Sequence, residues 1–150
     1  MKINLKHSKS RWVDIGEGTE FLIDYPTIEQ DESMKELQYQ IALIDESLLS
    51  ATDAEEREAL MAKFTPQQKA QMLILSERLY KRKIKYCVKG FRGVTNADNG
   101  EVLECKLVNG EMEDKLFEGM VRDLSLDDMA HISSCIDSET ELTETDKKKL

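Results

Sequence analysis

Apolar positions recur along this chain in changing rhythms, and each rhythm predicts an element. Phe21, Ile23 and Tyr25 alternate with Glu20, Leu22 and Asp24, the period of two of a half-buried strand. Arg11–Ile15 has the same aromatic and β-branched content, and Gly16-Glu17-Gly18 lies between the two runs. Glycine supplies the positive φ of a tight turn. The pattern predicts a β-hairpin, ended by Pro26, which has no N–H to give a ladder. Trp12, Phe21 and Tyr25 are its candidate structural anchors.

The period then changes. Met34, Leu37, Ile41, Ile44 and Leu48 recur at steps of three and four, the apolar stripe of a packed helix, with Asp31-Glu32-Ser33 as its expected cap. Thr52-Asp53-Ala54-Glu55 reads as a capping box that opens a short helix to about Phe64. Thr65-Pro66-Gln67-Gln68 reads as another, with proline at the first helical position. Its helix is expected to run to about Lys89, with Gly90 as the stop, and Met72, Leu75 and Leu79 form its stripe.

Beyond Gly93 the texture is different. Asn99-Gly100 and Asn109-Gly110 mark turns on either side of an expected strand from Glu101 to Val108. Leu116, Met120 and Leu124 predict a short helix, which Gly119 weakens. Ser125-Leu126-Asp127-Asp128 caps a last helix to about Ile136, with Met129, Ile132 and Ile136 inward. Residues 138–150 are polar and charged, and a disordered tail is expected there. The expected fold class is α+β: an N-terminal β-hairpin and a small second β element packed on three to five helices, one domain over residues 1–137.

Composition narrows the function classes. The 150 residues suffice for one core without disulfide or metal. Hydrophobic residues make up 40% and charged residues 34%, which disfavours both disorder and a membrane protein. No apolar run approaches the roughly 18 residues of a spanning helix. Met1-Lys2-Ile3-Asn4-Leu5-Lys6 lacks the apolar stretch of a secretion signal. Three cysteines in no paired spacing point to a reduced, intracellular setting. Net charge is −9, but in blocks of alternating sign: +4 over 1–13, −12 over 14–58, +8 over 59–93 and −9 over 94–150. Such a chain satisfies much of its field internally or shows partners a face of each sign.

Catalytic motifs are scarce. His131 and Cys135 share a helical face, and with Cys87 and Cys105 they make a candidate zinc set. The plainer reading, that the cysteines are small apolar residues, is preferred, so neither metal nor cofactor is expected. A lone cysteine with a distant histidine as a nucleophile pair carries less weight still. Asp127-Asp128 reads as charge at a helix N-terminus. Gly16-Glu17-Gly18 and Gly90-Phe91-Arg92-Gly93 lack the Gly-Lys-Ser/Thr ending of a phosphate loop. There is no HExxH, nucleophile elbow or dinucleotide fingerprint. An enzyme is not expected.

The basic block is the main candidate for contact with a partner. Arg78, Lys81, Arg82, Lys83, Lys85, Lys89 and Arg92 interleave with Tyr80, Tyr86 and Phe91. Such residues can hold a phosphate backbone and stack on bases, face solvent, pair with the acidic 14–58 block, or dock on an acidic protein surface. The remaining charge repels a polyanion, so nucleic acid is disfavoured. The seven basic residues, with Phe91, form the candidate partner-binding set. On this reading, charge reversal at Lys81, Lys83 and Lys85 weakens partner capture without lowering the melting temperature.

The order of these features resembles a family. Lys9-Ser10-Arg11-Trp12-Val13-Asp14-Ile15 followed by Glu20-Phe21-Leu22-Ile23-Asp24-Tyr25-Pro26 is similar to the N-terminal hairpin of small proteins encoded among tailed-bacteriophage tail genes, in which a variable acidic helical stretch follows. Tyr86-Cys87-Val88-Lys89-Gly90-Phe91-Arg92-Gly93-Val94 resembles their signature at the end of a long helix, with Phe91 where tryptophan is usual. Asp98-Asn99-Gly100-Glu101 and the closing helix with its charged tail resemble the rest. The family is the phage tail assembly chaperones and related minor tail proteins. The resemblance implies a non-enzymatic protein, in the cytoplasm of a bacterial host, that binds the tail tube or tape measure protein until the tail polymerises. It also admits a longer frameshifted product, for which Lys147-Lys148-Lys149 is a candidate slip site, though a charged soluble terminus explains those lysines equally well. Seven methionines suit an adaptable surface, although methionine at helical spacing is more often core. Two other classes stay open: an acidic phage-encoded inhibitor that occupies a host nucleic-acid-binding site, and a small zinc module.

Overall fold

The structure is a computed structural model that describes residues 1–2, 10–45 and 53–148, with side chains described as far as Glu139. The predicted hairpin forms: β1 (Arg11–Gly16) pairs antiparallel with β2 (Thr19–Ile23). Glu17 and Gly18 are the two turn residues, with φ of 53° and 76°, the left-handed pair that matches the twist of the flanking strands. Phe21 and Ile23 are buried, and Tyr25 is half-buried.

Helix α1 spans Ile28–Ala42. Its cap is Thr27, upstream of the expected Asp31-Glu32-Ser33: the Thr27 side chain accepts from the Gln30 N–H while the Gln30 side chain accepts from the Thr27 N–H. Asp31 therefore lies in the first turn, where a carboxylate favours the positive helix end. Met34 and Leu37 are buried and Ile41 half-buried, as the stripe predicts; Leu48 lies outside the described residues. Helix α2 (Ala54–Ala62) is capped by Asp53, the second residue of the expected box rather than the first.

Helix α3 (Pro66–Cys87) opens on the predicted Thr65–Gln68 box. It ends earlier than expected. The backbone turns extended at Val88 and runs without a loop into β3 (Val88–Arg92), which pairs antiparallel with β2. Gly90 is thus a strand residue, not a helix stop. Leu22 and Trp12 lie over it: a Cβ there would meet Leu22 Cβ at 2.9 Å and Trp12 Cη2 at 3.1 Å. The expected strand from Glu101 to Val108 is reduced to β4 (Leu107–Val108), paired with β5 (Glu111–Met112), plus a single bridge between Thr95 and Val102. Helix α4 spans Asp114–Arg122, and α5 spans Leu126–Lys148. The α5 backbone continues well past Ile136, through the stretch where composition predicted disorder.

The architecture is α+β, with the β1-β2-β3 sheet and the small β4-β5 ribbon. Helices α3 and α5 pack together, and the main core forms where they meet the sheet. Phe21, Ile23 and Val88 come from the sheet, Ile84 and Cys87 from α3, Met112 from β5, and Met129, Ile132 and Ile136 from α5. A smaller cluster of Met34, Leu37 and Leu79 joins α1 to α3. No described helix is long and apolar enough to cross a membrane.

Candidate functional site

The basic run does not form one helical face, because it is divided between α3 and β3. Five of its seven charges are tied to other elements of the fold. Arg82 donates to the Ser33 carbonyl oxygen at 2.7 Å and to its hydroxyl at 2.9 Å, joining α3 to α1. Lys83, only 13% exposed at its side chain, binds Asp137 of α5 at 2.8 Å. Lys85 binds Asp114 at the start of α4 and lies over the Phe117 ring. The Asp114 hydrogen bond raises the Lys85 pKa above its ordinary value. Lys89 donates to the Gly110 carbonyl in the β4-β5 turn. Arg92 stacks on the Trp12 ring, 3.8 Å from its centroid, and reaches Glu20 at 3.4 Å. Lys81 pairs within α3 with Glu77 at 2.8 Å, and Arg78 is exposed. Phe91 meets the buried Phe21 ring at 5.4 Å and an interplanar angle of 42°, a tilted pair that steadies the sheet.

These positions change what the run can do. Reversing Lys83 or Lys85 breaks contacts between helices, so a loss of stability accompanies any loss of binding. Trp12 is 38% exposed under the Arg92 guanidinium, and Phe21 lies in the core. Tyr25 lies beside Pro26, at the turn from β2 to α1, and is half-buried.

The cysteines are dispersed. Cys87 is buried, and desolvation pushes its thiol up to about 12; burial likewise moves Cys105 to about 11 and raises Cys135. His131 Nε2 and Cys135 Sγ meet at 3.9 Å, while Cys105 points its Sγ at the Val88 carbonyl at 3.8 Å. Among the described residues no group of three or more His, Cys, Asp or Glu side chains is placed to hold a metal ion, so the four-residue zinc set is not assembled.

Two apolar openings are also present, the second of them lined in part by Phe91. The first is a cleft of about 400 Å³ between the C-terminal end of α1 and the first half of α3, lined by Leu43, Ile44, Ile74 and Leu75. Leu43 is 79% and Ile74 52% exposed, with Tyr39 and Leu73 also open to solvent on the same two helices. The second is a groove of about 750 Å³ between the sheet, the 94–103 loop, α4 and α5. The short helix expected from Leu116, Met120 and Leu124 forms as α4, and that stripe rests half-buried against the core. Sequence reasoning identified neither opening. Leu73-Ile74, two adjacent apolar residues that widen the α3 stripe beyond one packed face, were the available signal for the first. No protein-family model matches the chain, and neither a curated protein nor a solved structure does.

Proposed function

We propose that this protein is a non-enzymatic binding protein of the phage tail assembly chaperone type, which holds the tail tube or tape measure protein before polymerisation. One observation carries the reading: the solvent-open apolar cleft of Leu43, Ile44, Ile74 and Leu75 on a chain of net charge −9. Exposed apolar area offers a docking site for unassembled subunits, and a large net charge keeps the free protein and its complexes apart in solution. The sequence resemblance names the partner class; the cleft supplies the surface. None of the basic residues of α3 and β3 lines that surface, and among the described residues Arg82 alone of them ties α1 to α3, through Ser33.

Co-expression with the tail tube and tape measure proteins tests the reading. The wild-type chain is expected to co-purify with one of them. A Leu43→Glu/Ile74→Glu double variant, altered only at exposed positions, is expected to fold normally and to lose the partner. Equal capture by wild type and variant removes the cleft from the account. Salt-sensitive capture of a basic host nuclease in place of either tail protein overturns the chaperone reading in favour of an acidic inhibitor.

A further inference from the structure

The groove under α4 has the make-up of a binding site that the fold itself leaves unfilled. Its lining includes the half-buried apolar side chains of Phe91, Leu103, Leu116 and Met120, with the buried Phe21 and Ile132 behind them. At about 750 Å³ it falls in the range of roughly 300–1,000 Å³ typical of ligand pockets. Helix α4, which forms one side, rests Leu116, Phe117 and Met120 against the core and is tied to Lys85 through Asp114. It has no side-chain hydrogen bond at its N-cap and no fully buried residue. Gly119, in its middle, lines the groove, and a Cβ built there meets nothing within 4 Å.

The rim identifies the occupant. Asp98, Glu113 and Asp123 border the groove with Lys115; Glu113 is paired with Lys106 at 3.3 Å, and Asp98 and Asp123 are the exposed acids that face a partner. Over residues 94–128 the chain carries ten acids and three bases. An apolar lining inside a negative rim complements a segment that is apolar on one side and positive on the other. We propose that this groove binds a basic amphipathic segment of the partner protein, seating one or two large apolar side chains against Phe91, Leu116 and Met120 while its lysines or arginines face Asp98 and Asp123. The inference rests on the binding-protein reading but not on the tail proteins, so it is tested without them, and its failure leaves their capture by the α1–α3 cleft to be judged separately.

The probe is a fluorescent 18-residue Lys/Leu peptide patterned as an amphipathic helix, titrated into the full chain. A Glu/Leu peptide of the same pattern and a scrambled Lys/Leu peptide with no apolar face serve as comparisons. Tight binding of the patterned basic peptide is expected, with at least tenfold weaker binding of both others. Gly119→Met places a side chain in the empty space; it is expected to keep or raise the melting temperature and to weaken the basic peptide at least tenfold. Double reversal at the exposed Asp98 and Asp123 to lysine is expected to weaken it severalfold, and decides the matter should Gly119→Met fold poorly. Equal binding of the scrambled peptide shows bulk charge attraction and overturns the proposal. Unchanged affinity in a folded Gly119→Met or in the double reversal overturns it as well, by placing the peptide elsewhere.

Discussion

Gly93 ends β3 against the hairpin turn, and replacing it with alanine has a calculable cost. Its φ is +73°, and a Cβ added there would lie 2.2 Å from the Gly18 carbonyl oxygen. Real Cβ atoms essentially never approach within 3.0 Å of another heavy atom, so the two segments must separate by about 0.8 Å. The obstacle is backbone on both sides and cannot rotate away. Holding alanine at a left-handed φ costs about 1–2 kcal/mol, offset by about 0.4–1 kcal/mol because alanine has less freedom than glycine in the unfolded chain. Forced separation of packed segments adds about 1–3 kcal/mol. Gly100 provides the control, since its φ is +71° but an added Cβ meets nothing within 4 Å. Gly100→Ala is therefore expected to cost about 1 kcal/mol and Gly93→Ala about 2–4 kcal/mol. Urea unfolding of both variants, with unchanged m, reads the difference directly. Equal losses would refute the close approach of β3 to the Glu17-Gly18 turn, and with it the β2–β3 register.

Two further outcomes follow from the same contacts. Lys83→Glu sets a half-buried acid against Asp137 and is expected to cost about 2 kcal/mol, a fall of about 4–8 °C in melting temperature for a chain of this size. Lys81→Glu disturbs only an i,i+4 pair worth about 0.2–0.5 kcal/mol, and calorimetry should find its shift much smaller; similar falls for both would deny the α3–α5 tie. The Cys87 thiol has its folded pKa pushed from 9.0 up to about 12 by burial, so its contribution to stability is whole below pH 9 and is lost as the pH rises toward 12. The stability advantage of wild type over Cys87→Ala should accordingly narrow above pH 9. Near neutral pH, iodoacetamide should modify Cys135 first and Cys87 only after unfolding; native Cys87 reacting like a free thiol would contradict its placement.

Locally encoded features were legible in the sequence. The hairpin could be read because alternation and turn chemistry agree at Glu17-Gly18, and the start of α3 because Thr65-Pro66-Gln67-Gln68 needs no distant partner. The true start of α1 was equally available: Thr27-Ile28-Glu29-Gln30 has the spacing of a capping box, but the acids that follow drew the boundary downstream. Strand β3 was not legible, since Gly90 has the look of a helix stop until Leu22 and Trp12 cover it from another part of the chain. The basic run was visible as charge, but not its targets. Ser33, Asp114 and Asp137 lie far away in sequence, and only the fold brings them to Arg82, Lys85 and Lys83. The groove under α4 escaped notice for a related reason: a stripe at 116, 120 and 124 shows which side of a helix is apolar, not which strand and loop residues come to line a space beside it.

The central claim is that the chain acts by holding another polypeptide. Light scattering of purified tail tube protein as it polymerises, with and without an equimolar amount of this protein, tests it most directly. A prolonged lag is predicted, abolished by Leu43→Glu/Ile74→Glu. An identical time course in the presence and absence of the protein would contradict it.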